Sequence, residues 1–148
     1  MAVVNRIVPV TPERVFAVLA DGWSYSDWVV GTAHISNVDE HWPRPGAHIH
    51  HQAATWPLEV KQVTVAVAAD PPHSLTLRPH LWPLGEYTLE LTLTPVHGHE
   101  TQLTMTEELV SGPMRGMRRR VDDVMLYWRG RESLRRLSDL AVSRFRRP

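Results

Sequence analysis

The sequence predicts an α+β fold in the order β-α-α-β6-α, an antiparallel sheet covered by one long C-terminal helix. Three observations lead there. Between Ala33 and Val110 six successive segments alternate apolar and polar residues with period two and are closed by short turns. Two short helical signals precede them, and one long stretch of helical periodicity follows. A chain of 148 residues and 16.9 kDa fits a single domain spanning 1–148.

The elements follow in order. Ala2 to Val10 reads as a strand. Thr11-Pro12-Glu13 starts a helix, with Thr11 at the N-cap, Pro12 at the first position and Glu13 in the first turn. It carries Val15, Phe16, Val18 and Leu19 and stops near Asp21-Gly22. A second helical turn is expected over Ser24 to Trp28, capped by Ser24. His34–His41 and Ala47–Thr55 are strands separated by Trp42-Pro43-Arg44-Pro45-Gly46, a strong turn signal. Glu59–Ala69 sets Lys61, Val63, Val65 and Val67 on one face and Gln62, Thr64, Ala66 and Ala68 on the other. Ser74–His80 alternates again. Tyr87, Leu89, Leu91 and Leu93 share the next inner face, and Thr101, Leu103, Met105, Glu107 and Leu109 the last, across a turn at His97-Gly98.

The final helix is expected from about Pro113 to Arg144, with two apolar stripes. Met114, Met117, Val121, Val124 and Trp128 form one. Tyr127, Gly130, Leu134, Leu137 and Ala141 form the other, about 170° away at 100° per residue.

Composition excludes several classes. Apolar residues are 43% and charged residues 22%, an ordinary globular balance. The absence of cysteine removes disulfide scaffolds, thiolate nucleophiles and cysteine-based metal sites. No apolar run approaches the roughly 20 residues of a membrane span. Pro9, Pro12, Glu13 and Arg14 interrupt any signal-peptide pattern, so the default location is the cytoplasm. Charge is balanced overall at sixteen of each sign, but eleven arginines face four acidic residues from Met114 onward. That distribution reads as an arginine-studded solvent face; without a recognition motif it disfavours nucleic acid as a partner.

The element order resembles the helix-grip fold of the START-like superfamily, and the chain resembles the SRPBCC family of polyketide cyclase/dehydrase and lipid-transport proteins from end to end. The residues carrying the resemblance are Arg6-Ile7, Pro9, Thr11-Pro12-Glu13-Arg14-Val15-Phe16, Trp28-Val29-Val30-Gly31, Trp42-Pro43, Pro45-Gly46, Pro57-Leu58, Asp70-Pro71-Pro72, Met105, Glu107, Gly112-Pro113, and Arg129 through Arg136-Leu137. Gly130 replaces a polar residue, often asparagine, that precedes Arg-Glu-Ser-Leu in similar proteins; it either enlarges the adjacent space or lets the helix pack closer. The resemblance implies a curved sheet gripping the last helix around a hydrophobic cavity. Trp28, His51, Leu89, Met105, Met117, Val121, Val124, Tyr127 and Trp128 are its expected lining.

Polar candidates are few. His48 and His50 share a strand face and His51 joins Ile49 on the other; a buried Ile49 takes His51 inside, and a bulge reverses this. With His34 or His41 such imidazoles can hold zinc, but they read more simply as solvated strand histidines with one lining the cavity, so neither metal nor cofactor is expected. Period two turns Glu107 inward and Glu108 outward. A buried carboxylate takes a partner or a proton, so Glu107 is either an acid or ligand anchor, or half of an ion pair with an arginine such as Arg118 or Arg119. The hydroxyls of Tyr87 and Tyr127 can reach a carbonyl-bearing ligand, and Trp28, Trp42, Trp56 and Trp82 sit where they can rim a cavity mouth.

The expected function is binding of a hydrophobic or aromatic small molecule, by a monomer or a homodimer. The alternatives are a cyclase, aromatase or dehydrase in which Glu107, Tyr87 and His50 move protons, and an interaction module that uses the arginine-rich helix on a protein or RNA.

Overall fold

The computed structural model describes residues 1–55, 58–81, 85–111 and 119–146, with side chains at 33, 53–55, 58–60, 81, 111, 119–123 and 146 outside that description. The alternating segments form β1 (Ala2–Val8), β2 (Thr32–Val38), β3 (His48–Thr55), β4 (Leu58–Asp70), β5 (Ser74–Leu81), β6 (Gly85–Val96) and β7 (Glu100–Ser111). They make one antiparallel sheet in the order β1-β7-β6-β5-β4-β3-β2. Neighbours in sequence are neighbours in space except at β1, which pairs with β7. The segment between β1 and β2 therefore travels from one sheet edge to the other, and it is helical on the way.

That segment holds α1 (Pro12–Ala20), a 3-10 turn (Gly22–Ser24) and α2 (Tyr25–Trp28). The Thr11 carbonyl accepts from the N–H groups of Arg14 and Val15, but its hydroxyl makes no cap bond. Pro12 and Glu13 are the starting signals that operate. The expected cap at Ser24 is replaced by a different bond: its hydroxyl donates to the carbonyls of Val18 and Asp21 at 3.0 and 2.8 Å, folding the turn back on α1. Gly22 is required there, because a Cβ would stand 2.5 Å from Cγ1 of Val38. Trp42 is buried rather than at a rim, and its indole N–H donates to the Leu19 carbonyl at 3.1 Å.

The inner face of the sheet carries Ile49, Leu75, Leu77, Leu89, Leu91, Leu93, Leu103 and Met105, all buried. In β4 the inward set is Gln62, Thr64 and Ala66, while Val67 is exposed. Cross-strand pairing fixes this parity, since His51 lies opposite Gln62 and Ile49 opposite Thr64.

The last helix, α3 (Arg119–Arg146), packs chiefly on β1 and then on α1 and α2. It buries Leu126, Gly130, Ser133, Leu134, Leu137, Ser138 and Ala141, one stripe at helical spacing. The other expected stripe is not inside where it is described: Val124, Tyr127 and Trp128 are 57%, 41% and 60% exposed. Tyr127 also leaves the stripe assigned to it. Its i+3 neighbour Gly130 is buried so closely that a Cβ would lie 3.2 Å from Val4 and 3.3 Å from the Met105 sulfur. Close packing is the role of that glycine.

Candidate functional site

The site is built where the Tyr25 side chain of α2 reaches the inner-face residues His51 of β3 and Thr64 of β4. Four residues of helix suffice to aim two aromatic rings inward, because Tyr25 and Trp28 stand three positions apart on one face. Both are 2% exposed, and their rings meet edge to face at 5.6 Å. Tyr25 also lies 5.4 Å from the His51 ring.

A short hydrogen-bonded chain connects these elements. The Thr64 hydroxyl lies 3.1 Å from the Tyr25 hydroxyl and 2.9 Å from Nε2 of His51. Hydroxyl protons are best used when Tyr25 donates to Thr64 and Thr64 donates to Nε2, which leaves the imidazole proton on Nδ1. Burial disfavours charge on these groups: it pushes the Tyr25 hydroxyl up to about 12, and it lowers His51 to about 4, helped by the charges of His50 and Arg129. At neutral pH His51 is an uncharged imidazole.

The second polar group joins β7 to α3. Period two along Leu103, Met105 and Glu107 turns the Glu107 carboxylate inward, where the residue is 4% exposed. Among the described residues its partner is Arg129: the guanidinium donates to Oε1 at 2.9 Å, and its Nε–H donates to the Val30 carbonyl at 2.8 Å. Arg118 lies outside the described residues, as does the Arg119 side chain. The Val30 N–H in turn donates to the Ser133 hydroxyl at 3.2 Å, so α3 holds the segment after α2 by two bonds. Burial raises the Glu107 carboxyl above its ordinary range, against the opposing pull of the guanidinium. The charges of Arg129 and Glu107 are felt at Tyr25, and that of Arg129 at His51, so the two polar groups share one region.

Three buried atoms in this region have no hydrogen-bond partner among the described residues: Nδ1 of His51, Oε1 of Gln62 and Oε2 of Glu107. Polar atoms removed from water without a partner cost free energy, and structures rarely tolerate several together. They are what a ligand with polar groups would meet.

The expected site residues divide accordingly. His51, Leu89, Met105, Glu107 and Trp28 are gathered inside. His50 is not: it is half-buried on the outer face, its ring stacked 6.0 Å from that of His48, which is bonded to Asp39. Strand parity excludes it from the interior, and His51 stands in its place. Tyr87 is half-buried on the inner row, one pair beyond Leu89–Glu107. Val124, Tyr127 and Trp128 are on the open side of α3. Met114, Met117, Trp56 and Trp82 lie outside the described residues, as does the Val121 side chain. Among the described residues no three His, Asp or Glu side chains are grouped to hold a metal ion, and no helix is long and apolar enough to cross a membrane. Tyr25, Gln62, Thr64 and Arg129 carry the site without having been singled out as site residues by their sequence pattern.

Comparison with known proteins places this arrangement. The family described as polyketide cyclase / dehydrase and lipid transport matches residues 2–142. The Zhui aromatase/cyclase from Streptomyces sp. R1128 superposes with a TM-score of 0.75 at 17% identity, over 98% of this chain and 94% of that one. A protein from Thermus thermophilus gives 0.72 at 17%, over 96% and 97%. Ara h 8.0201 gives 0.67 at 15%, over 95% and 96%. At such identities the likeness speaks for the fold. No curated protein matches the chain by sequence. With a seven-stranded antiparallel sheet gripping its last helix and a family match over nearly its whole length, the chain belongs to the polyketide cyclase/dehydrase and lipid-transport family and has its helix-grip fold.

Proposed function

We propose that the chain acts as one ligand-binding domain, holding an apolar or aromatic small molecule between the inner face of the sheet and α3. The observation that carries this reading is the set of unpartnered buried atoms on His51, Gln62 and Glu107, drawn from three strands of an inner face whose apolar residues, Leu89 and Met105 among them, are buried. A protein core made only for stability gains nothing from three such atoms. An apolar interior with a few convergent polar groups is the composition of a small-molecule site.

The test uses N-phenyl-1-naphthylamine, an uncharged fluorophore that brightens in apolar surroundings. Saturable, blue-shifted emission is expected with the full chain, and its affinity should fall at least about tenfold in Ala66→Leu, which adds bulk to the inner face. Absence of saturable binding, or binding indifferent to an inner-face substitution in a variant that keeps the parent circular dichroism, rules the reading out.

A second reading is an acid–base enzyme of the cyclase or dehydrase type. It is favoured by one feature: a neutral imidazole oriented by Thr64 beside a carboxylate–guanidinium pair, polar groups converging as proton transfer requires. His51 and Glu107 would be its proton-handling residues. Mass analysis of a molecule that co-purifies separates the two readings. A carrier returns it unchanged, whereas a dehydrating enzyme converts it to a species lighter by one water, and His51→Gln stops the conversion.

A further inference from the structure

The unpartnered interior atoms also say what kind of polar group the ligand brings. This step rests on the reading of the interior as a ligand site. Glu107 Oε2 belongs to a carboxylate already bonded through Oε1 to a guanidinium, so it accepts hydrogen bonds and repels negative charge. The Gln62 Oε1 is likewise an acceptor. His51 Nδ1 carries the ring proton when Nε2 takes the Thr64 hydroxyl proton, which makes it the single donor of the three.

Charge makes the same selection. Among the described residues the guanidinium bonded to Glu107 is that of Arg129, and it is committed twice, to that carboxylate and to the Val30 carbonyl. The pair of Arg129 and Glu107 is already neutral, so an anionic ligand would add a net negative charge beside a carboxylate, which is expensive in a desolvated interior. His51 offers no compensating charge, since burial keeps it neutral far below pH 7.

We infer that the interior selects uncharged ligands bearing hydroxyl groups over carboxylate-bearing ones: a ligand hydroxyl donates to Glu107 Oε2 or Gln62 Oε1, while a ligand oxygen accepts from His51 Nδ1. The two acceptors also set a rule of number. A ligand with donors only, or with both donors and acceptors, satisfies more of the site than one with acceptors alone.

The experiment displaces N-phenyl-1-naphthylamine from the full chain at pH 7 with three compounds sharing one ring system: 2-naphthol, 2-naphthoate and naphthalene. Naphthol is expected to displace the fluorophore with an affinity at least about tenfold above both others, the effect of one or two hydrogen bonds made against one buried charge left unpaired. Gln62→Leu is expected to erase much of the advantage of naphthol over naphthalene, read as the ratio of the two affinities within the same variant. Equal or tighter binding of naphthoate overturns the inference while leaving the binding site itself standing. So does a naphthalene affinity equal to that of naphthol, because the polar atoms would then be satisfied without the ligand. If the fluorophore itself shows no saturable binding, the site reading falls, and this inference with it.

Discussion

Thr64 has one hydroxyl and two demanding neighbours, Tyr25 and His51, each almost wholly removed from water. Replacing it by valine keeps the shape and leaves both neighbours unpaired, so Thr64→Val should lower stability by about 1–3 kcal/mol, read from urea unfolding. His51 adds a pH dependence whose direction follows from its depression to about 4, from an ordinary value near 6.5. Below pH 6.5 the unfolded chain takes up a proton at this position that the folded chain refuses. The contribution is therefore complete above about pH 6.5 and is lost as pH falls toward 4, amounting to about 3 kcal/mol at most. His51→Gln should show a shallower fall in stability over that window, and an unchanged slope would remove burial as the cause. Glu107 behaves in the opposite sense. Its carboxyl is raised by burial, so its charge is a cost at neutral pH that eases as pH falls into the raised range. Glu107→Gln removes that buried charge and keeps a bond from Arg129, so its stability relative to the parent should be more favourable at pH 7 than near pH 4.5, by about 1 kcal/mol or more, in urea titrations at both. The variant is also expected to keep the fold while losing affinity for hydroxylated ligands. Glu107 was legible from alternation alone, and His51 once Ile49 was known to be buried. Gln62 and Thr64 were not, because in β4 the valines occupy the other parity and apolar content alone favours them as the inner face; only the pairing of His51 with Gln62 decides it.

Among the elements, β6 and β7 were the easiest to read, since Leu89, Leu91, Leu93, Leu103 and Met105 alternate without interruption and all are buried. The start of α1 was legible from Pro12 and Glu13. What α3 does was harder to see. Apolar residues on two sides of a helix suggest burial on two sides, yet where described only the side of Leu134, Leu137 and Ala141 is covered, where α3 packs on β1, α1, α2 and β7. Its ion-pair partner for Glu107 was likewise unreadable, since the choice of Arg129 depends on where the helix crosses β7. The crossing is set by Gly130, against which Val4 and Met105 pack. Gly130→Val should push α3 away from β1 and cost about 2 kcal/mol or more in thermal or urea unfolding. Gly130→Ala should cost less than about 1 kcal/mol, because the gain in helix propensity opposes the tight contacts. A fully tolerated valine would mean that the helix is not seated as described.

At the scale of the molecule, the arginines of α3 whose side chains are described are answered within the chain. Arg135 and Arg136 bond to Glu132, Arg144 reaches Asp21 near α1, and Arg131 lies over the Trp128 ring. Surface pairs of this kind add little stability, but they occupy charge that an RNA or acidic partner would need. The inner face of the sheet holds the opposite situation, polar atoms without partners in an apolar setting. Function is therefore expected inside the grip of the sheet on α3. The most direct measurement is methyl NMR of the full chain titrated with N-phenyl-1-naphthylamine. Methyl signals of Leu89, Met105 and Ala66 should shift together and saturate, while those of the outward Val67 and Ile7 stay in place. Shifts confined to outward methyls, with the inner three unmoved, would contradict an interior binding site.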